Sequence, residues 1–132
     1  MQAQERENKL YREGKRVTIS MEEKFISNMI TSNEKNGSRL LDIGCGSGEI
    51  SKHYQDYGFE VMGVDFSEVA IDLTKKLNLD AILMDVDKGL ELDDNTFDIV
   101  LAGDVIEHIF DPIFVISEIS RVLKPGGSFY AS

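Results

Sequence analysis

The residues of this chain best suited to chemistry cluster in one run, Leu41-Asp42-Ile43-Gly44-Cys45-Gly46-Ser47-Gly48-Glu49. Three glycines alternate after an apolar stretch and an aspartate. Without a Cβ, such a backbone turns tightly and lets a ligand come close. The spacing is not that of a dinucleotide site. G-x-G-x-x-G would put its third glycine at position 49, where Glu49 stands, and Gly48 comes one residue early. A carboxylate at the start of the next helix also sits poorly beside a pyrophosphate, which a helix N-terminus is suited to attract. A ligand without phosphate fits better, and a nicotinamide enzyme is disfavoured. Asp65 closes a second apolar stretch, twenty-one residues after Gly44. Asp85 and Val86 follow a third. Ala102-Gly103-Asp104-Val105-Ile106-Glu107-His108 follows a fourth. Histidine exchanges a proton near neutral pH, which makes His108 a candidate base. The other histidine, His53, falls on a different helix with no ligand spacing, so no metal site is expected. Cys45 is the single cysteine and excludes an internal disulfide.

The elements that must position these residues are short apolar strands alternating with helices. Residues 1 to 13 are helix-permissive and charged, and Gly14 breaks them. Ser20 with Glu23 is a capping-box pattern, opening a helix that carries Phe25, Ile26, Met29 and Ile30 on one face and ends near Asn36-Gly37. Strands are expected at 39–43, 60–64, 81–84, 97–102 and 128–131. Helices are expected at 49–57, from a Ser67 cap to about Leu77, and at 113–123. Lys124-Pro125-Gly126-Gly127 stops the last helix. Repeated βαβ units build a parallel sheet covered on both faces, a doubly wound α/β fold. Its ligand sites lie just after the strands, where the strand order reverses. The glycine run, Asp65, Asp85 and the segment from Ala102 to His108 all occupy such places. The chain divides into an N-terminal helical segment, 1–38, and a core, 39–132.

Composition narrows the partners. The 132 residues carry a net charge of −10, made of +2 over residues 1–39 and −12 over 40–132. An acidic body repels phosphate backbones, so nucleic acid is an unfavourable substrate. Arg6, Lys9, Arg12, Lys15 and Arg16 read as a solvated helix face. Asp87, Glu91, Asp93 and Asp94 read as solvated loop charges. No apolar run approaches the ~20 residues of a membrane span, and no secretory signal is visible. A cytoplasmic protein is expected.

From Leu40 onward the sequence resembles the class I S-adenosylmethionine-dependent methyltransferases, in particular the small-molecule branch that includes quinone biosynthesis. Asp42-x-Gly44-x-Gly46-x-Gly48 matches their first motif, and Val61-Met-Gly-Val-Asp65-Phe66 their second. The resemblance implies a Rossmann-like strand order of 3-2-1-4-5 and S-adenosylmethionine as cofactor, with S-adenosylhomocysteine as product. It implies that Asp42, Gly44, Cys45, Gly46 and Gly48 wrap the methionine and ribose portions. Asp65 would accept from both ribose hydroxyls, and Phe66 would pack near the adenine. Asp85 and Val86 would meet the adenine edge, and carbonyls near Ala102 and Gly103 would hold the ammonium group. Glu107 and His108 would face a small-molecule methyl acceptor as catalytic residues. Complete family members have seven strands, and this chain is expected to reach only the fifth. Its edge, Ser128 to Ala131, holds Phe129 and Tyr130 and no charge, so self-association or a partner chain is expected there. A non-catalytic cofactor-binding or assembly module is the alternative.

Overall fold

The computed structural model describes Glu5 and residues 20–132. Apart from Glu5, the expected helix over residues 1–13 and its basic face lie outside the described residues. Helix α1, Met21–Asn33, starts with the capping box expected of it. The Ser20 hydroxyl accepts from the Glu23 amide at 3.1 Å, and the Glu23 carboxylate accepts from the Ser20 amide at 2.7 Å. The helix stops three residues before Asn36, because Glu34 turns extended. Its core face is also narrower than expected. Ile26 and Ile30, one turn apart, are buried, whereas Phe25 and Met29 are 68% and 40% exposed.

The remaining elements alternate. Strand β1 is Arg39–Ile43, α2 Glu49–Tyr57, β2 Glu60–Asp65, α3 Glu68–Lys76 and β3 Asp80–Leu83. Strand β4 is Phe97–Ala102, α4 Pro112–Val122 and β5 Leu123–Ala131. One five-stranded sheet results, ordered β3-β2-β1-β4-β5, with every neighbouring pair parallel. Successive side chains of a strand point to opposite faces, so each central strand serves two cores. Leu41, Ile43, Val64 and Val100 pack with Val115, Ile119 and Val122 of α4. Leu40, Val61, Ile99 and Leu101 pack with Ile26 and Ile30 of α1 and Tyr54 of α2. Helix α1 therefore shares a core with the sheet across the boundary drawn at residue 38. Among the described residues, no helix is long and apolar enough to cross a membrane.

The Lys124–Gly127 turn differs from expectation. Leu123 already pairs with Phe97, and pairing resumes at Ser128 opposite Ile99. Lys124 to Gly127 therefore interrupts β5 as an irregularity facing Asp98, and the turn lies inside the strand. Lys124 reaches the Asp98 carboxylate at 3.3 Å, whose second oxygen accepts from the Arg39 amide at 2.8 Å. A charge thus stands within β5, although Ser128 to Ala131 carries none.

Candidate functional site at the strand ends

Sheet order reverses between β1 and β4, and the glycine loop sits at that point. The loop is held from below by β2. The amides of Gly44 and Cys45 both donate to the Val64 carbonyl, at 2.8 and 3.0 Å. The amide of Gly46 donates to one Asp65 carboxylate oxygen at 3.0 Å, and the amide of Ser67 donates to the other at 2.9 Å. Thr74, buried on α3, donates to the Gly46 carbonyl at 2.9 Å. Two glycines are dictated by this packing. Gly44 (φ +75°) lies where a Cβ would run into the Val105 side chain. Gly48 caps α2 in the left-handed region (φ +92°), where a Cβ would stand 3.0 Å from the Thr74 Cα. The carboxylate of Glu49, next in line, accepts from the Ser47 hydroxyl.

Beneath the loop is a small cleft lined by Asp42, Gly44 and Cys45 from the end of β1 and Gly103 beyond β4. Glu23 of α1 and Tyr54 of α2 also line it. Asp42 is buried, and its carboxylate accepts from the Ser51 hydroxyl at 2.5 Å. Burial pushes the Asp42 carboxyl up to about 7; repulsion from Asp65 and Glu23 adds to this, and Ser51 opposes it. Burial likewise raises the Tyr54 phenol to about 12 and pushes the Cys45 thiol up. Cys45 therefore stays a thiol and offers packing in place of nucleophilic chemistry. Two carboxyl side chains, Asp42 and Glu23, line the cleft, and Asp65 is near enough to act on Asp42, a setting that favours a cation once a ligand enters.

The other candidate residues stand around this cleft and do not line it. Phe66, just beyond β2, is 37% exposed. Asp85 follows β3 by two residues and caps a short 3-10 turn, Val86–Lys88, accepting from the Asp87 amide at 3.1 Å. Val86 packs against the α4-side core. Asp87 accepts in turn from the Phe110 amide at 3.0 Å, tying this loop to the segment after β4. Loop charges read as simply solvated are thus partly engaged. Asp94 joins them, because Arg121 grips its carboxylate at 2.7 Å and the carbonyls of Leu90 and Leu92 at 2.6 and 2.8 Å. Glu118 orients that guanidinium and accepts from the Leu90 amide at 3.0 Å, which holds its carboxyl below the usual range.

Ala102, the last residue of β4, is buried, and Asp104 beyond it adopts a left-handed backbone (φ +55°). That turn leads into the 3-10 turn Ile106–His108. Glu107 and His108 lie 3.7 Å apart with side chains 55% and 77% exposed, so they face solvent. Ser51, Thr74 and Tyr54 were not singled out by motif, and Glu23 was read as a capping residue alone. The signal available was a serine or threonine at a helix position that amphipathic spacing turns inward.

The profile of the family described as "Methyltransferase domain" matches residues 41–131. The ubiquinone biosynthesis O-methyltransferase of Nitrobacter winogradskyi is 36% identical over 113 residues, 83% of this chain and 43% of that protein. The chain thus spans less than half the length of this curated relative. Among solved structures, the PH0226 protein of Pyrococcus horikoshii OT3 has a TM-score of 0.70 and 36% identity, over 83% of this chain and 57% of that one. The phosphoethanolamine N-methyltransferase 2 of Haemonchus contortus, solved with phosphomonomethylethanolamine and S-adenosylhomocysteine, has a TM-score of 0.70 and 30% identity. It covers 83% of this chain and 27% of that one. Strand order, glycine loop and profile agree, and the chain belongs to the S-adenosylmethionine-dependent methyltransferase family.

Proposed function

We propose that this chain binds S-adenosylmethionine over the glycine loop and directs its methyl group to a hydroxyl of a small-molecule acceptor. The observation that carries the reading is the carboxyl-lined cleft at the β1–β4 reversal, roofed by a loop without room for side chains at Gly44 and Gly48. The donor set fits a phosphate-free, cationic ligand. Asp42 and Glu23 face the cleft, while Glu49 and Ser47 occupy the helix start that a pyrophosphate would need.

The bound cofactor supplies a methyl group on a sulfonium, whose thioether leaving group is neutral and needs no acid. Asp42, Gly44, Cys45, Gly46 and Gly48 enclose its methionine and ribose portions. Carbonyls near Ala102 and Gly103 accept from its ammonium. Asp65 grips the ribose diol. Its two oxygens accept from the Gly46 and Ser67 amides, so the carboxylate that meets the diol is fixed to the loop. Asp85 and Val86 meet the adenine edge, with Phe66 beside it. Alignment is the protein's main contribution, worth up to ~7–11 kcal/mol at the extreme. His108, 3.7 Å from the Glu107 carboxylate, takes the hydroxyl proton. A hydroxyl is chosen because the Nitrobacter relative is named an O-methyltransferase.

The test is S-adenosylhomocysteine formation from labelled S-adenosylmethionine with a panel of phenols and catechols. Acceptor-dependent product supports the reading. Cofactor binding with no transfer to any acceptor favours the second reading, a binding module completed by another chain. That second reading draws on β5, which among the described residues has one neighbouring strand, β4.

A further inference from the structure

Ser51 has no part in the chemistry just described, yet it is fully buried and directed at the most perturbed carboxyl of the site. It sits in the first turn of α2, one turn ahead of Tyr54, and its hydroxyl donates to Asp42 at 2.5 Å. That length is typical of an O–H···O bond to an ionised acceptor. Every other influence on Asp42 favours the neutral acid. Burial does so first, then the carboxyls of Asp65 on β2 and Glu23 on α1. The remaining titratable groups facing it, the Cys45 thiol and the Tyr54 phenol, are themselves held neutral by burial. Adjacent residues of β4, Leu101 and Ala102, carry no charge.

We propose that Ser51 is a positioning residue for the cofactor cleft, fixing the Asp42 carboxylate in its orientation and favouring its ionised form so that the cleft presents more negative charge to a cationic ligand. The inference rests on the reading of the cleft as the S-adenosylmethionine site. Ser51 acts through Asp42, since it does not line the cleft. Without it, Asp42 keeps its proton at neutral pH, and the cleft loses the charge that complements a sulfonium or an ammonium. A merely structural tether between α2 and β1 predicts lower stability and no change in proton binding.

Two measurements on the wild type, Ser51→Ala, Ser51→Thr and Asp42→Asn test this. The first is the Asp42 carboxyl titration in ligand-free protein, followed by 13C NMR. A hydrogen bond to a charged group is worth ~1.5–3 kcal/mol, so Ser51→Ala should raise the Asp42 midpoint by about one to two pH units. Ser51→Thr, which keeps the hydroxyl, should restore it. The second is S-adenosylmethionine affinity by calorimetry between pH 5.5 and 8.5. Wild-type affinity should fall as pH drops through the Asp42 midpoint. Ser51→Ala should move that step upward by the same interval, and Asp42→Asn should abolish it. An unmoved Asp42 midpoint in folded Ser51→Ala overturns the inference, whatever the ligand does. A moved midpoint with no S-adenosylmethionine binding at any pH would instead overturn the cofactor reading and leave the Ser51–Asp42 coupling standing.

Discussion

Replacing Asp42 by asparagine is expected to stabilise the ligand-free protein at neutral pH while weakening its grip on the cofactor. The magnitude follows from burial. The Asp42 carboxyl titrates near 3.8 when exposed and is pushed up to about 7 in the fold. Below about pH 4 it is protonated whether the chain is folded or not, and contributes nothing to pH dependence. Between about 4 and 7 the unfolded chain releases the proton and the folded one retains it. The native state then binds more protons, so stability falls as pH rises, by about 1.4 kcal/mol per unit. The accumulated loss is about 4 kcal/mol, complete above pH 7, a large part of the ~5–15 kcal/mol that holds a domain together. Asparagine escapes that loss and still offers Ser51 an oxygen, but it buries an amide N–H group at a cost of about 1–3 kcal/mol. The variant should therefore be more stable than wild type by about 1–3 kcal/mol at pH 8, and that advantage should vanish or reverse, by up to about 2 kcal/mol, at pH 4.5. Urea unfolding of both proteins at the two pH values measures this. Parallel stability curves from pH 4.5 to 8 would refute the reasoning.

Asp65→Ala should cost ~1.5–3 kcal/mol of cofactor affinity, the range for a lost charge-assisted bond, and a similar amount of stability. The stability loss is expected because Asp65 pins both Gly46 and Ser67; calorimetry and urea titration separate the two, and unchanged affinity in a folded variant would contradict the ribose assignment. His108→Ala should leave cofactor affinity nearly intact, since its side chain is 77% exposed outside the cleft, and should lower turnover most with weakly acidic hydroxyls. A large loss of cofactor binding would move His108 out of the acceptor region. Light scattering over a concentration series should show association that a lysine placed at Phe129 suppresses, because β5 is the outermost strand of the sheet among the described residues. One constant mass at all concentrations would rule that edge out as an interface.

Much of this architecture was legible because its signals are local. Strand β4 was bounded correctly from Phe97-Asp-Ile-Val-Leu-Ala102, an apolar run between a loop and a glycine. The α3 start followed from Ser67, whose hydroxyl accepts from the Ala70 amide. The strand order depended on family resemblance, since register between distant strands leaves little trace in local periodicity. What escaped was whatever tertiary packing decides. Phe25 and Met29 match the helical period yet miss the sheet, because only one edge of the α1 stripe reaches it. Lys124 to Gly127 has every mark of a turn, and its role as an interruption within β5 is set by Leu123 pairing early with Phe97. At the site, glycine spacing located the loop and Asp65. The carboxylate's grip on the loop amide of Gly46 could not be read from spacing, nor could the Ser51–Asp42 contact across nine residues. The Arg121 clasp joins residues 27 to 31 positions apart and carries no motif at all.

The most direct test of the central claim is calorimetric titration of the protein, at pH 8, with S-adenosylmethionine, S-adenosylhomocysteine and NAD. The glycine spacing, Glu49 at the helix start and the carboxyls of the cleft predict saturable one-site binding of both sulfur ligands and no detectable binding of NAD. NAD binding more tightly than either sulfur ligand would contradict the account.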